Sequence, residues 1–269
     1  MNDSFNKHRE PEEIFLPISA KRYADFYSLE MNHFTRDIQF YQQSCKERAL
    51  LLELGCGTGR ISNSLSSQER RVIGVDLSLD MLQQARDSHG NTFECICMDM
   101  TEIAFTCQFD HILIPYNTLN LLRNKQVIKK CLHQIHSLLK PDATLLLQLH
   151  IPASPEQHSG DDKIFQFQIF PMRNGGKLIK ETLRSHDAQS GEILLEERYR
   201  PRPAYPPLLR QNFRHSHFLA GFSLQQWLQI FTDCGFTDYL LYGDYDFRPF
   251  RDGTDSTLLL QASSCTQKQ

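Results

Sequence analysis

Leu51-Leu52-Glu53-Leu54-Gly55-Cys56-Gly57-Thr58-Gly59-Arg60 decides the fold. A short apolar run from Ala49 to Leu54 reads as a buried strand, and it enters a turn with three glycines in five residues. Ile61–Ser67 then reads as a helix. Glycine permits backbone angles denied to other residues and lets a ligand approach the main chain. The first turn of a helix leaves N–H groups free. Two phosphate-binding readings fail on spacing. A dinucleotide fingerprint needs G-x-G-x-x-G, and here Arg60 and Ile61 follow G-x-G-x-G. No Lys-Ser/Thr follows either, so the turn is not a nucleoside triphosphate loop.

Downstream, strand and helix alternate. Arg71–Val75 reads as a second strand. Ser78 is placed to cap a helix carrying Leu79, Leu82 and Ala85. Thr92–Met98 and Phe109–Pro115 read as third and fourth strands. Lys125–Leu139 is an amphipathic helix stopped by Pro141–Asp142, and Thr144–His150 is a fifth strand. This rhythm predicts crossover units and a mostly parallel sheet covered on both faces.

Upstream, Met1 to Pro17 reads as a loose arm. Ser19–Cys45 carries Tyr23, Phe26, Tyr27, Met31, Phe34, Ile38 and Tyr41 at spacings of three and four, a helical pattern broken once. Beyond His150 the rhythm changes. Ile151–Gly160 reads as a loop, and Phe165, Phe167 and Ile169 alternate with glutamines as a strand. Asn174-Gly175-Gly176 signals a turn. Leu178–Arg184, Ile193–Tyr199 and Arg210–Leu219 are further strands, broken at Gln189–Gly191 and Pro201–Pro207. Ser223 with Gln226 forms a capping box before a helix that Gly235 ends. Phe236–Tyr242 and Thr257–Gln261 close the chain as a hairpin. The expected organisation is an arm and helical lid over 1–48, a core over 49–150, an antiparallel insert over 151–221, and a completing helix and strands over 222–269.

Composition narrows the function. The chain has 269 residues and a formal net charge of −3, which argues against a dedicated nucleic-acid binder. Met1–Glu13 is polar and charged, so no secretory signal is expected, and no apolar run is long enough for a membrane span. The eight cysteines then suit a reducing cytoplasm. Cys95 and Cys97 sit in a strand at C-x-C spacing without a second ligand pair. They read as packing residues, and no metal is expected. Arg198, Arg200, Arg202, Arg210 and Arg214 make a basic run that is either a solvated face or a surface for an anionic partner.

Two acids bear on the ligand. Glu53, at the strand tip, would repel a pyrophosphate and suits a cationic ligand. Asp76 ends the second strand, where a carboxylate can hold both hydroxyls of a ribose; alone it would equally be a residue leading the helix at Ser78. With these residues in place, the sequence resembles the class I S-adenosylmethionine-dependent methyltransferases over Ala49–His150. Their glycine motif matches Glu53–Gly59, so Gly55, Cys56, Gly57, Thr58 and Gly59 join Glu53 as implied cofactor-binding residues. Their ribose-binding acid matches Asp76, with Leu77 beside it. Their adenine-contacting acid matches Asp99 in Met98-Asp99-Met100. Phe109–Ile114 matches their fourth-strand motif, with Pro115 after it. Met81 is open between core packing and an adenine contact, as is Met100.

The resemblance implies a Rossmann-like α/β fold with a seven-stranded sheet. It implies S-adenosylmethionine as cofactor and S-adenosylhomocysteine as product. Ile114–Leu122 is similar to small-molecule N-methyltransferases, including those acting on aminosugars, and Tyr242-Gly243-Asp244-Tyr245 resembles the same group. Such enzymes carry an antiparallel sheet that roofs the substrate. In them, tyrosines like Tyr23 and Tyr27 close over the methionine end of the cofactor. The acceptor expected is a small molecule, met by Tyr116, Arg214, His215 and His217. Tyr116, His150 and His217 are candidates for the general base, if one is needed. Asn117 reads either as a helix cap or as a site residue. The rival readings are an RNA or protein methyltransferase using the basic run, and a regulatory protein that binds the cofactor without chemistry. A monomer or homodimer is expected.

Overall fold

The computed structural model describes residues 13–152, 164–173, 175–187, 190–203 and 211–264. Most of the Met1–Pro17 arm and of the loop after Ile151, together with Asn174, Gln189, residues 204–207, Arg210 and Cys265, lie outside the described residues.

Two sheets make up the fold. The larger is built from β2 (Ala49–Leu54), β3 (Arg70–Asp76), β4 (Glu94–Cys97), β5 (Phe109–Ile114), β6 (Leu139–His150), β11 (Phe236–Tyr242) and β12 (Thr257–Ser264), in the order β11-β12-β6-β5-β2-β3-β4. Neighbours from β4 to β6 are parallel, and β12 runs antiparallel to both β6 and β11. This is the Rossmann-like sheet expected. The order reverses between β2 and β5, and such a switch point opens a crevice at the carboxyl ends of the strands.

The middle strands are apolar on both faces because both faces are covered. Leu51, Leu52, Leu54, Ile112, Leu113, Leu145 and Leu146 are fully buried. Two of the covering helices are α5 (Lys125–Leu138), through Ile128, Cys131, Leu132 and Ile135, and α6 (Leu224–Asp233), through Trp227, Ile230 and Phe231. Ser223 and Gln226 form the capping box, and the Ser78 hydroxyl accepts from the Met81 N–H to cap α4 (Leu79–His89).

The smaller sheet has the order β1-β10-β9-β8-β7. Its strands are β1 (Phe15–Pro17), β7 (Ile164–Pro171), β8 (Lys177–Asp187), β9 (Glu192–Arg202) and β10 (Asn212–Ala220). The last four form an antiparallel meander. Its inner face packs on α1 (Ala20–Met31) through Phe26, Leu178, Tyr199 and Phe213. The break in the N-terminal helical pattern falls before α2 (Arg36–Ser44).

Four details differ from the sequence reading. Phe15–Pro17 is a strand parallel to β10, too short for its alternation to be seen. β6 opens at Leu139, directly after α5. Leu139 pairs with Phe109, and Pro141 and Asp142 (φ 60°) are absorbed in an irregularity of the register. Cys95 is only half-buried and Cys97 is exposed, because β4 is an edge strand. Cys131 and Cys234 are buried. On β7 the apolar row points outward: Phe165, Phe167 and Ile169 are all more than half exposed. Among the described residues no helix is long and apolar enough to cross a membrane, and no cluster of His, Cys, Asp or Glu could hold a metal ion.

Candidate functional site

The glycine turn is built by backbone constraint. Gly55, Gly57 and Gly59 all have positive φ, at 73°, 55° and 77°. A Cβ on Gly55 would collide with the Thr118 methyl, and one on Gly59 with the Phe93 ring. A Cβ on Gly57 would meet only Tyr27 Cε1 at 3.6 Å, so this glycine faces open space. The N–H groups of Gly55 and Cys56 donate to the Val75 carbonyl at 2.7 and 2.9 Å, which ties the turn to β3. Asp76 then sits between the turn and α4. Its Oδ2 accepts from the Gly57 N–H and its Oδ1 from the Ser78 N–H, both at 2.8 Å. Burial raises the Asp76 pKa, opposed by these backbone donors.

Behind the turn lies an ion pair. Arg60 grips Asp37 with two hydrogen bonds of 2.6 Å and donates to the Phe34 carbonyl at 2.8 Å. Asp37 is fully buried. Bidentate charged pairs of this kind fix geometry as well as adding energy, and this one clamps α2 to the start of α3 (Arg60–Leu65).

Across the switch point the backbone is strained. Tyr116 and Asn117, directly after β5 and Pro115, have φ of 52° and 62°. Side chains rarely adopt this region, and strained residues cluster at functional sites. The Thr118 hydroxyl donates to the Pro115 carbonyl at 2.7 Å and opens a short 3-10 helix, Thr118–Leu122. Tyr245 Oη donates to Gln148 Oε1 at 2.7 Å, and Gln148 Nε2 donates to Asn117 Oδ1 at 3.3 Å. The Tyr116 ring stands edge-on to Tyr27 and Phe34.

These parts surround one cavity of about 800 Å³. Gly55, Gly57, Asp76, Ser78 and Met81 line it on the β2–β3 side. Tyr116, Asn117, Gln148 and His150 line it on the β5–β6 side, Tyr23, Tyr27 and Glu30 close it from α1, and Phe34 closes it from the connection to α2. The roof is the inner face of the smaller sheet, and its register lays the side chains out in rows. Ile164, Arg184, Leu195 and His217 form one row. Gln166, Thr182, Glu197 and His215 form the next, and Gln168, Lys180, Tyr199 and Phe213 the third. Lys180 Nζ bridges Glu30 at 2.6 Å and Glu197 at 2.5 Å, and Tyr199 Oη donates to Glu197 at 3.0 Å. Tyr23 lies 4.3 Å from the His215 ring centre.

Burial sets the charges here. It raises the Glu30 pKa against the pull of Lys180, whereas Lys180 and a histidine hold Glu197 below its ordinary value despite burial. Burial also lowers His215 and His217, opposed by Glu197. For His150, burial and then Arg184 bring the value to about 3. The Tyr116 phenol is pushed up, chiefly by burial.

Of the residues singled out in sequence, Tyr23, Tyr27, Gly55, Gly57, Asp76, Met81, Tyr116, Asn117, His150, His215 and His217 line this one cavity. Others do not. Glu53 shares the face of Leu51, not of Leu52 and Leu54, and so points beneath the turn to accept from the Ser62 hydroxyl. Burial pushes it up to about 8. Cys56 and Gly59 pack against Gly74 and Phe93, Thr58 and Pro115 are buried, and Leu77 is exposed. Asp99 accepts from the N–H and hydroxyl of Thr101 to close its own turn, and Met100 packs on the main core. Arg214 faces outward because it alternates with His215 on β10. In the basic run, Arg198 pairs with Glu196, Arg200 with Glu13 and Glu181, and Arg202 with Glu13, so those three are neutralised.

Sequence reading missed Glu30, Gln148, Lys180, Thr182, Arg184 and Glu197. The signal for Glu30 was present: Tyr23, Tyr27 and Glu30 are spaced four and three apart, on one helical face. Lys180, Thr182 and Arg184 alternate as strictly as an apolar row would.

With this geometry established, comparisons place the chain among known proteins. Residues 51–142 match a family described as a methyltransferase domain. Over 236 residues, 83% of this chain and 88% of the relative, the sequence is 26% identical to the putative methyltransferase YqeM of Bacillus subtilis. A cypemycin N-terminal methyltransferase of Streptomyces is 32% identical over 122 residues, 44% of this chain and 49% of its own. The sugar N-methyltransferase KedS8 of Streptoalloteichus superposes with a TM-score of 0.72 at 15% identity, covering 95% of this chain and 97% of that one. This last likeness is one of fold.

Proposed function

Starting from a chain that is a class I S-adenosylmethionine-dependent methyltransferase, we propose that it methylates an amine nitrogen of a small molecule held under the five-stranded roof. The observation that carries this reading is the roof's inner face. It presents Lys180, Glu197 and two histidines to the cavity that the glycine turn opens into, and Glu30 of α1 completes a carboxylate pair around Lys180.

The residues fit the cofactor. Gly57 leaves room for a ligand against the main chain, and Asp76 offers a carboxylate fixed at the strand tip. The cavity lies within the ~300–1,000 Å³ range of small-molecule sites. In this reading Asp76, Gly57 and Met81 hold the nucleoside half, and Tyr23, Tyr27 and Tyr116 enclose the methionine end. When bound, the cofactor supplies an electrophilic methyl group on a sulfonium. The protein then has to align the acceptor and exclude water. An amine acceptor must also be neutral to attack. His215 and His217, with pKa values lowered by burial, and Glu30, with its pKa raised, are proton acceptors within the same cavity.

Two measurements test the reading. Calorimetric titration with S-adenosylhomocysteine should give micromolar binding that Asp76→Ala weakens about tenfold or more, the cost of losing hydrogen bonds to a charged group. Equal affinity in the variant would move the nucleoside elsewhere. Mass spectrometry of a panel of small amines, alcohols and activated carbon acids incubated with the enzyme and cofactor should then show methyl gain on amines. Gain confined to alcohols or carbon acids would overturn the nitrogen assignment.

A further inference from the structure

Three cations line the cavity: Arg36, Lys180 and Arg184. Arg36 has Asp246 at 3.4 Å, and Lys180 has Glu30 and Glu197. Arg184 has no carboxylate partner among the described residues. Its Nε is buried and makes no hydrogen bond. The register explains why. Its cross-strand neighbours on the roof are Ile164 and Leu195, both apolar. The groups whose fields it shares are the Tyr116 phenol and the His150 imidazole, with His186 near the same histidine. Neither the phenol nor the imidazoles carry negative charge at neutral pH.

An arginine keeps its proton in proteins. Arg184 is half-buried; a partly desolvated charge without a counter-ion carries a cost, and native structures retain an unsatisfied buried polar atom such as its Nε for a reason such as a ligand. The guanidinium fork matches a carboxylate or a phosphate. We propose that Arg184 binds an acid group, carboxylate or phosphate, on the methyl acceptor. The acceptor class is then an amine that also carries an anion, a conclusion that rests on the amine reading above.

The layout supports a ligand with two ends. Arg184 and Glu197 stand in adjacent roof rows, roughly 7 Å apart along the strand. Tyr116 lies within the fields of Glu30, Lys180 and Glu197, and its own phenol acts on Arg184. A molecule seated over Tyr116 meets carboxylates at its amine and a guanidinium at its acid.

The test separates this inference from its premise. Inorganic phosphate and, separately, acetate are titrated calorimetrically into protein saturated with S-adenosylhomocysteine. At least one should bind in the millimolar range. Arg184→Met, which keeps the apolar stem, should weaken it about tenfold or more, while Arg184→Lys retains part of the affinity. Cofactor-product affinity and thermal midpoint should stay near wild type. Which anion binds tells carboxylate from phosphate. No binding of either, or equal binding by Arg184→Met, overturns the proposal. In a second arm, amines are compared with their acid-bearing counterparts. The acidic members should have the higher kcat/KM, mainly through KM, and Arg184→Met should erase the preference. Equal turnover of both kinds by wild type overturns the proposal as well. Anion binding that depends on Arg184, with no amine methylated, would sink the amine reading and leave the anion site standing.

Discussion

Gly55 and Gly57 look alike in sequence but carry different constraints. Both have positive φ, yet only Gly55 has a neighbour in the way, the Thr118 methyl. Thr118 cannot retreat cheaply, because its hydroxyl is bonded to the Pro115 carbonyl beside the strained Tyr116–Asn117 pair. Gly57→Ala should cost about 1–2 kcal/mol, the price of a left-handed L-residue. Gly55→Ala should cost roughly 3 kcal/mol or more, since overpacking adds to the same strain. Urea unfolding of both variants checks this, and equal losses would remove the collision from the account. Glu53 shows where single-residue reading stops. The motif shows that an acid stands before the turn, but the strand's alternation sends it beneath the turn, to Ser62.

Among the elements, β5 and β6 are joined through a histidine. His111 Nε2 accepts from the Lys46 N–H at 3.0 Å, and its Nδ1 lies 2.7 Å from the Thr144 hydroxyl. Accepting at one nitrogen requires a neutral ring. Burial, and then Lys46, bring His111 down to about 4, and His150 on β6 is at about 3. Both values lie below the ordinary 6.5, so the unfolded chain takes up protons first as pH falls. Their stabilisation is complete above about 6.5 and is lost on acidification toward 4 and then 3, on the order of 3 kcal/mol for His111. Glu53 has the opposite sign. Its value, raised to about 8, gives stability that is full below the ordinary carboxylate range and lost as pH rises through 8. These three groups together place the stability maximum near pH 6.5. Glu53→Gln should flatten the alkaline side and steepen the rise between the ordinary carboxylate range and pH 6.5, where Glu53 opposes the histidines. Thermal midpoints across pH 4–9 decide it, and an unchanged alkaline slope in the variant would refute the assignment. The parallel half was legible because its strands are buried on both faces and its helices carry clean stripes. The facing of the roof was not legible, because it covers a polar cavity: Gln166 and Gln168 face in while Phe165 and Phe167 face out. Period-two patterning says which residues share a face, not which face is wet.

At the scale of the whole molecule, the cavity draws on both ends of the chain. Ile18 to Phe34 close one side, Gly243 to Thr257 another, and β12 lies between β6 and β11 with Leu258, Leu259 and Leu260 fully buried. Removing residues 244–269 should therefore abolish cooperative unfolding rather than trim a tail, as followed by circular dichroism on heating. A sharp transition in the truncated protein would show that the remaining strands close without β12. None of this closure was visible in local patterns, since Tyr23 against His215 or Lys180 against Glu30 joins residues that only the finished topology brings together.

The parallel pairing of Pro17 with Arg214 also sets a clock on synthesis. About 200 residues separate the two, and ribosomes add roughly 5–20 residues per second. For roughly 10–40 s after α1 leaves the ribosome, the sheet that covers Phe26 does not exist. During translation α1 is a bare amphipathic segment on a nascent chain, open to chaperones, and this wall of the cavity is made well before the strands that pack on it.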